Sequence, residues 1–387
     1  MSHLSFEFAT ATQIIFGAGA LKQVGALARP LGRRALVVTG QNTARVEPLL
    51  ALLTNHGLDV TIFSVATEPT LTTAGAGVQQ AKNAQCEVII GCGGGSVIDA
   101  GKAIAALCTN PGDPLDYLEV IGRGQPLSQP SLPYIAIPTT AGTGAEVTRN
   151  AVLGSPEHRL KVSLRSPLML PRLAVVDPEL TYSLSPEVTA STGLDALTQL
   201  LEPFVSNKAN PLTDALCREG ILRASRSLGR AYEHGDEAEA RQEMALASLL
   251  GGLALANAKL GAVHGFAAVL GGMFSAPHGA VCAALLPYVM AINVKALTER
   301  QPEHIALQRY DEIAGLVTGN SKATAQDGVA WIEALGRSLQ IPGLASYGLT
   351  RSDFPTVIEK SAGSSSMQGN PLKLTPDELH EILNRAF

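Results

Sequence analysis

The stretch Gly91-Cys-Gly-Gly-Gly-Ser96-Val-Ile-Asp99-Ala-Gly-Lys102 reads as the end of a buried strand, a run of glycines and the start of a helix. Three consecutive glycines let the backbone come close to a phosphate, and the free N–H groups at a helix start favour its charge. Ser96 is placed to cap that helix, with Asp99 returning a bond three residues on, a capping-box arrangement. The plainer alternative is a tight strand-to-helix turn. Two better-known phosphate motifs are excluded. A Walker loop needs Gly at Ser96 and Ser or Thr at Ala103, and the dinucleotide fingerprint Gly-x-Gly-x-x-Gly is absent.

Outward from this turn, residues 34–39, 60–64, 87–91, 134–137 and 173–176 are short β-rich runs bounded by turn residues. Helix-length stretches at 44–55, 72–84 and 97–108 separate the first four. Such alternation implies a mainly parallel sheet covered by helices on both faces. Residues 6–8 and 12–16 add a pair of strands at its edge. A second loop, Ile137-Pro-Thr-Thr-Ala-Gly-Thr-Gly-Ala-Glu-Val-Thr148, sets four threonines among small residues after another strand. Hydroxyls and exposed amides suit the ribose and phosphates of a dinucleotide, although such a segment also serves simply to cap a helix.

After Asp177-Pro178-Glu179 the strands stop and Ala/Leu-rich stretches of 3.6-residue period follow, clearest at 212–228, 237–256 and 325–340. The chain therefore reads as an α/β domain, residues 1–181, and an all-α domain, residues 182–387, joined through 177–186. A ligand is expected in the cleft between two such domains.

A length of 387 residues allows each domain a substantial core, and 46% hydrophobic with 16% charged residues excludes a disordered chain. With 29 Lys+Arg against 34 Asp+Glu and no basic run, nucleic-acid partners and anionic membrane surfaces are not expected. Five scattered cysteines without close pairs suit a reducing compartment. The N-terminus lacks the basic start and apolar stretch of a signal peptide, so the cytoplasm is the expected location. Residues 260–294 contain no Asp, Glu, Lys or Arg, but Pro277, Pro287, Gly271, Gly272, His264 and His278 interrupt them. A membrane span needs about 20 uninterrupted apolar residues, so the stretch reads as helices buried in a large helical domain.

Within that domain, Gly193-Leu-Asp195-Ala-Leu-Thr-Gln199 puts Asp195 and Gln199 on one helical face. A buried imidazole needs partners, and His264 and His278 both lie in the uncharged stretch. A lone histidine there is usually a satisfied core residue. Two, each followed by a glycine that permits close approach, point to function. One carboxylate and two imidazoles form a divalent-metal constellation of the kind that takes Zn or Fe(II) with a position open for substrate.

Taken together, these segments resemble the iron-containing (group III) alcohol dehydrogenase family, which shares its architecture with dehydroquinate synthase. Gly93 to Lys102, Ile137 to Thr148, Gly193 to Gln199 and the His264 to His278 block stand in family order and spacing. The likeness continues to Ser364-Ser-Ser-Met-Gln-Gly-Asn-Pro371 and covers nearly the whole chain. It implies an N-terminal domain that binds NAD or NADP and a helical domain that binds metal and substrate. Cofactor positions then fall on Gly93, Gly94, Gly95, Ser96, Thr139, Thr140, Thr143, Thr148, Lys161 and Leu180, with Gly40 beside the ribose. The metal positions fall on Asp195, Gln199, His264 and His278, of which Asp195, His264 and His278 carry the catalysis.

Three departures stand out. Metal-holding relatives have histidine where this chain has Gln199, whose neutral oxygen is a weaker ligand for Fe or Zn. Ala268 stands where many relatives place a further histidine credited with proton transfer. Gly40 replaces an aspartate that binds the ribose 2′-hydroxyl, so a 2′-phosphate is not repelled and Arg45 is placed to assist it. The resemblance implies hydride transfer between a nicotinamide and a small alcohol or aldehyde, in a homodimer or higher oligomer. A dehydroquinate synthase-like cyclase or lyase is a rival, but it needs several Lys and Arg residues that 260–294 do not supply. A nucleotide-binding protein that has lost catalysis is another, opposed by the presence of Asp195, His264 and His278.

Overall fold

A computed structural model describes residues 5–274 and 276–387. It divides into two compact units, Ala9–Thr140 with Gly144–Tyr182, and Ser183–Phe387 with Ala141–Thr143 and the described residues before Ala9.

The first unit is built on β1 (Ile14–Phe16), β2 (Arg34–Thr39), β3 (Asp59–Ser64), β4 (Val88–Gly93), β5 (Tyr134–Pro138) and β8 (Leu173–Val176). They form one sheet in the order β1-β8-β5-β4-β2-β3, parallel throughout. Helices α1 (Val24–Ala28), α2 (Glu47–Asn55), α3 (Leu71–Asn83), α4 (Gly95–Thr109) and α5 (Pro114–Tyr117) are the connections. Because side chains alternate along a strand, Ala35 and Val37 pack with Val24, Leu49 and Leu53, while Leu36 and Val38 pack with Ile98 and Ile104. Both faces of the sheet are thus covered, as the alternation of strands and helices predicts.

Two local expectations fail. Residues 6–8 form no strand, since only β1 finds a partner, in β8. An antiparallel hairpin, β6 (Asn150–Ser155) and β7 (Leu160–Arg165), was not anticipated. The capping box at Ser96 is also absent. Gly94 is the N-cap and no side chain caps α4. Asp99 instead accepts from the Val152 N–H at 3.0 Å and pairs with Lys102 Nζ at 3.0 Å. Lys102 is 1% exposed and also donates to Ala145 O at 3.0 Å, Thr148 Oγ1 at 2.8 Å and Asn150 O. A buried ammonium of this kind needs its full set of acceptors, and meeting them ties α4 to the threonine-rich loop and to β6.

The second unit consists of α6 (Pro186–Val205), α7 (Pro211–Glu233), α8 (Ala238–Asn257), α9 (Ala262–Phe274), α10 (His278–Arg300), α11 (Ile305–Thr318), α12 (Ala325–Ser338), α13 (Phe354–Ala362) and α14 (Pro376–Ala386). From Ser183 on, the described residues contain no strand. Leu197, Leu201, Ile221, Leu228, Met244, Phe266, Leu270, Leu285 and Ile292 belong to one core. By length and composition α10 is apolar enough to cross a membrane, but 83% of its apolar window is buried inside the protein.

In the first unit, burial pushes the Glu146 carboxyl up to about 7, against the pull of its own N–H and of Lys102. A carboxyl raised in the folded state stabilises fully below its unfolded value and loses that contribution as pH rises through about 7. Glu146→Gln should therefore flatten the decline in melting temperature between pH 5 and pH 8, removing a penalty of about 3 kcal/mol at the upper end. An unchanged decline would assign it to other groups.

Candidate active site

Helix α6 starts at Ser185, whose hydroxyl accepts from the Val188 N–H at 3.4 Å, with Pro186 in the first turn. Its buried face carries Asp195, Gln199 and Glu202, spaced i, i+4 and i+7. Glu202 was not singled out from the sequence, yet it organises the site. One of its oxygens accepts the Val263 N–H at 2.7 Å and the other lies 2.7 Å from His264 Nδ1. Asn370, in the C-terminal Gly-Asn-Pro, accepts the Ala262 N–H at 3.3 Å. Together they satisfy the first N–H groups of α9, where negative charge is favoured. The same carboxylate holds His264 Nδ1 and so directs Nε2 at Asp195 Oδ1, 3.5 Å away, where it would serve as a ligand once its proton is displaced.

His278 is the first residue of α10. A Cβ on Gly279 would lie 2.7 Å from the Ser191 carbonyl, so glycine there lets α10 approach the backbone of α6. His278 Nε2 lies 3.7 Å from Asp195 Oδ1 and 3.7 Å from the sulfur of Cys282, one turn along α10. The two imidazole rings are 5.3 Å apart. One ligand atom from each of Asp195, His264, His278 and Cys282 lies within 4.8 Å of the others. Cys282, like Glu202, went unnoticed in the sequence, although its i+4 spacing from His278 was a usable signal. Gln199 donates from Nε2 to Gly142 O at 3.2 Å. Ala268, half-buried, follows His264 by one turn.

Burial alone would drive both imidazoles neutral, but the Cys282 sulfur, with Glu202 and Asp195 for His264 and Asp195 for His278, outweighs it. His264 is held well above the ordinary range and His278 is raised to about 9. Burial would likewise raise Asp195, yet His278 and His264 hold it below its usual value. The cluster demands positive charge at its centre. Asp195 Oδ1 and Gln199 Oε1 are both buried without a hydrogen-bond donor among the described residues. Two orphaned oxygens beside imidazoles that Glu202 and Asp195 orient fit a divalent cation, which would take the place of the imidazole protons.

In the α/β unit, Gly93 and Pro138 are register partners at the ends of β4 and β5, and Thr39 pairs with Cys92 at the ends of β2 and β4. Strand order reverses between β2 and β4, so Gly40, Gly93, Gly94, Gly95 and Ser96 gather where parallel sheets place ligands. Thr139 and Thr140 adjoin them. The Thr139 N–H donates to Gly93 O at 3.0 Å, and a Cβ on Gly94 would lie 3.5 Å from Thr140. The remaining positions are less uniform. Thr148 is buried with its hydroxyl held by Lys102, and Lys161 on β7 pairs with Glu68 at 3.3 Å. Leu180 packs against the core beneath α1 and α2. Its turn is capped by Asp177, which also accepts the Gly19 and Leu21 N–H groups. Thr143 falls in the helical unit. Beyond Gly40 a side chain would meet nothing within 4 Å, and Arg45 is exposed.

Residues 11–178 match the iron-containing alcohol dehydrogenase family, and residues 189–387 match the C-terminal part of the Fe-containing alcohol dehydrogenase family. The chain belongs to the iron-containing alcohol dehydrogenases. It is similar to 1,3-propanediol dehydrogenase of Klebsiella pneumoniae, at 35% identity over 395 residues and the full length of both chains. Among solved structures, a 1,3-propanediol oxidoreductase superposes with TM-score 0.91 at 35% identity, covering 99% of this chain and 100% of the other. A sulfoacetaldehyde reductase from Bifidobacterium kashiwanohense, solved in complex with NAD+, does so with TM-score 0.87 at 29% identity, covering 99% of each. As a member of this family the chain is an oxidoreductase acting on CH–OH groups.

Glu202→Gln should keep the fold but lower divalent-metal affinity about 10–100-fold, since a neutral amide does not fix the His264 tautomer as a carboxylate does. Competition with a chromogenic chelator measures it, and unchanged affinity would mean that Glu202 only caps α9.

Proposed function

We propose that this iron-containing alcohol dehydrogenase catalyses reversible hydride transfer between a nicotinamide dinucleotide and a small alcohol or aldehyde. The observation that carries the proposal is the orphaned Asp195 Oδ1 facing the Nε2 atoms of His264 and His278 in a buried cluster. Asp195, His264 and His278 would hold a divalent ion, Fe(II) or Zn(II), with Gln199 at the edge of the set. When bound, such an ion acts as a Lewis acid on the substrate oxygen.

Glu202 keeps His264 in the tautomer whose Nε2 is free to coordinate. Gly93, Gly94, Gly95 and Ser96, with Thr139 and Thr140, would bind the dinucleotide phosphates at the start of α4. Lys102 contributes by holding Thr148 and the backbone of the threonine loop in place. Thr143, Lys161 and Leu180 complete the proposed cofactor set. Alanine at position 268 cannot move a proton, so a proton relay would have to use groups other than this side chain. NADP(H) is accepted alongside NAD(H), because the space beside Gly40 is open and no carboxylate there opposes a 2′-phosphate.

The test is NADH and NADPH oxidation with a panel of aldehydes and ketones, with Fe(II), Zn(II) or chelator. Carbonyl-dependent oxidation that rises with metal is expected. Gly40→Asp should lower kcat/KM for NADPH relative to NADH by roughly ten-fold, about 1.4 kcal/mol. Cofactor binding without turnover of any carbonyl would leave a nucleotide-binding protein, and turnover indifferent to chelator would remove the ion from the reaction.

A further inference from the structure

Resting on the metal site proposed above, the geometry points to the thiolate of Cys282 as the fourth protein ligand of the ion, in the role that the sequence leaves open at Gln199. Three observations carry it. The first is spacing. Bonds of about 2.0–2.3 Å at tetrahedral angles put neighbouring ligand atoms about 3.3–3.6 Å apart. The distances here are 3.5 Å from His264 Nε2 to Asp195 Oδ1, 3.7 Å from His278 Nε2 to Asp195 Oδ1, and 3.7 Å from Cys282 Sγ to His278 Nε2. All four atoms lie within 4.8 Å of one another, and contraction onto a central ion would close the set.

The second observation concerns Gln199. Its Nε2 is already engaged with Gly142 O, in a side chain only 2% exposed. That bond leaves Oε1 unpartnered among the described residues, but a neutral amide oxygen is a weaker ligand than an imidazole, whereas Cys282, fully buried and one turn after His278, presents sulfur to the same centre. The third is charge. Asp195 and a Cys282 thiolate bring two negative charges to a dication, so the buried centre is neutral, and the charge of Glu202 is answered by the His264 N–H. On binding, a sulfur–metal bond forms and the thiol proton passes to the medium. A soft sulfur ligand favours Zn(II), and Co(II) as its spectroscopic stand-in, over Fe(II).

The experiment uses the full-length protein, stripped with chelator and reloaded. X-ray absorption at the zinc edge should show one sulfur at about 2.3 Å among nitrogen and oxygen ligands at about 2.0–2.1 Å. Titration with Co(II) should develop a near-ultraviolet thiolate charge-transfer band that reaches its maximum at one ion per chain. Cys282→Ser should lose that band while keeping visible Co(II) absorption. A zinc shell of nitrogen and oxygen alone, or a band that persists in Cys282→Ser, overturns the thiolate ligand and leaves the metal site standing. Failure of the wild-type protein to take up either ion overturns both. The zinc spectrum needs no variant, so it decides the question even if Cys282→Ser misfolds.

Discussion

A carboxylate oxygen buried in an apolar helical core with no donor to satisfy it is the constraint from which the rest of the site follows. Asp195 is 1% exposed, and its Oδ1 faces two imidazole nitrogens rather than N–H donors of the backbone. In a low-dielectric interior such an atom is costly unless positive charge sits beside it. Everything near it serves that end. Glu202 claims the far nitrogen of His264, Asn370 and Glu202 together cap α9, and the glycine at 279 lets α10 come close enough to deliver His278 and Cys282.

The α/β unit solves a different problem with the same economy of charge. A dinucleotide site of the kind proposed needs backbone N–H groups held still, which glycines by themselves do not provide. Here the stiffness comes from a lysine buried beneath the loops, whose ammonium gathers Asp99, Ala145, Thr148 and Asn150. Tyr134 adds to it by donating to Ile98 O at 2.9 Å from the neighbouring strand. The cost appears at Glu146, whose burial next to this assembly is relieved only in part.

Much of this was legible in the sequence, because hydrophobic periodicity reports burial directly. β2 and β8 have the limits that their residue pattern indicates, and the helices at 212–228, 237–256 and 325–340 appear longer, shifted by one residue and shorter at the C-terminal end, respectively. Asp195, His264 and His278 converge because charged or polar residues in an apolar setting must find one another. What was missed depended on tertiary partners. The Ser96–Asp99 cap is a local preference that lost to Lys102 and the Val152 N–H, and residues 6–8 have strand composition but no neighbour to pair with. The β6–β7 hairpin does carry a legible alternation at Leu160-Lys-Val-Ser-Leu-Arg165, overshadowed by the more continuous apolar runs of the parallel strands. Glu202 and Cys282 look ordinary until helical spacing from Asp195 and His278 is counted.

Anomalous diffraction from a crystal of the protein grown with Zn(II), collected at the zinc edge, tests the central claim most directly. A single peak per chain is expected within about 2.0–2.2 Å of Asp195 Oδ1, His264 Nε2 and His278 Nε2. A peak elsewhere, or none while water or a protein donor fills the space beside Asp195 Oδ1, would contradict the account.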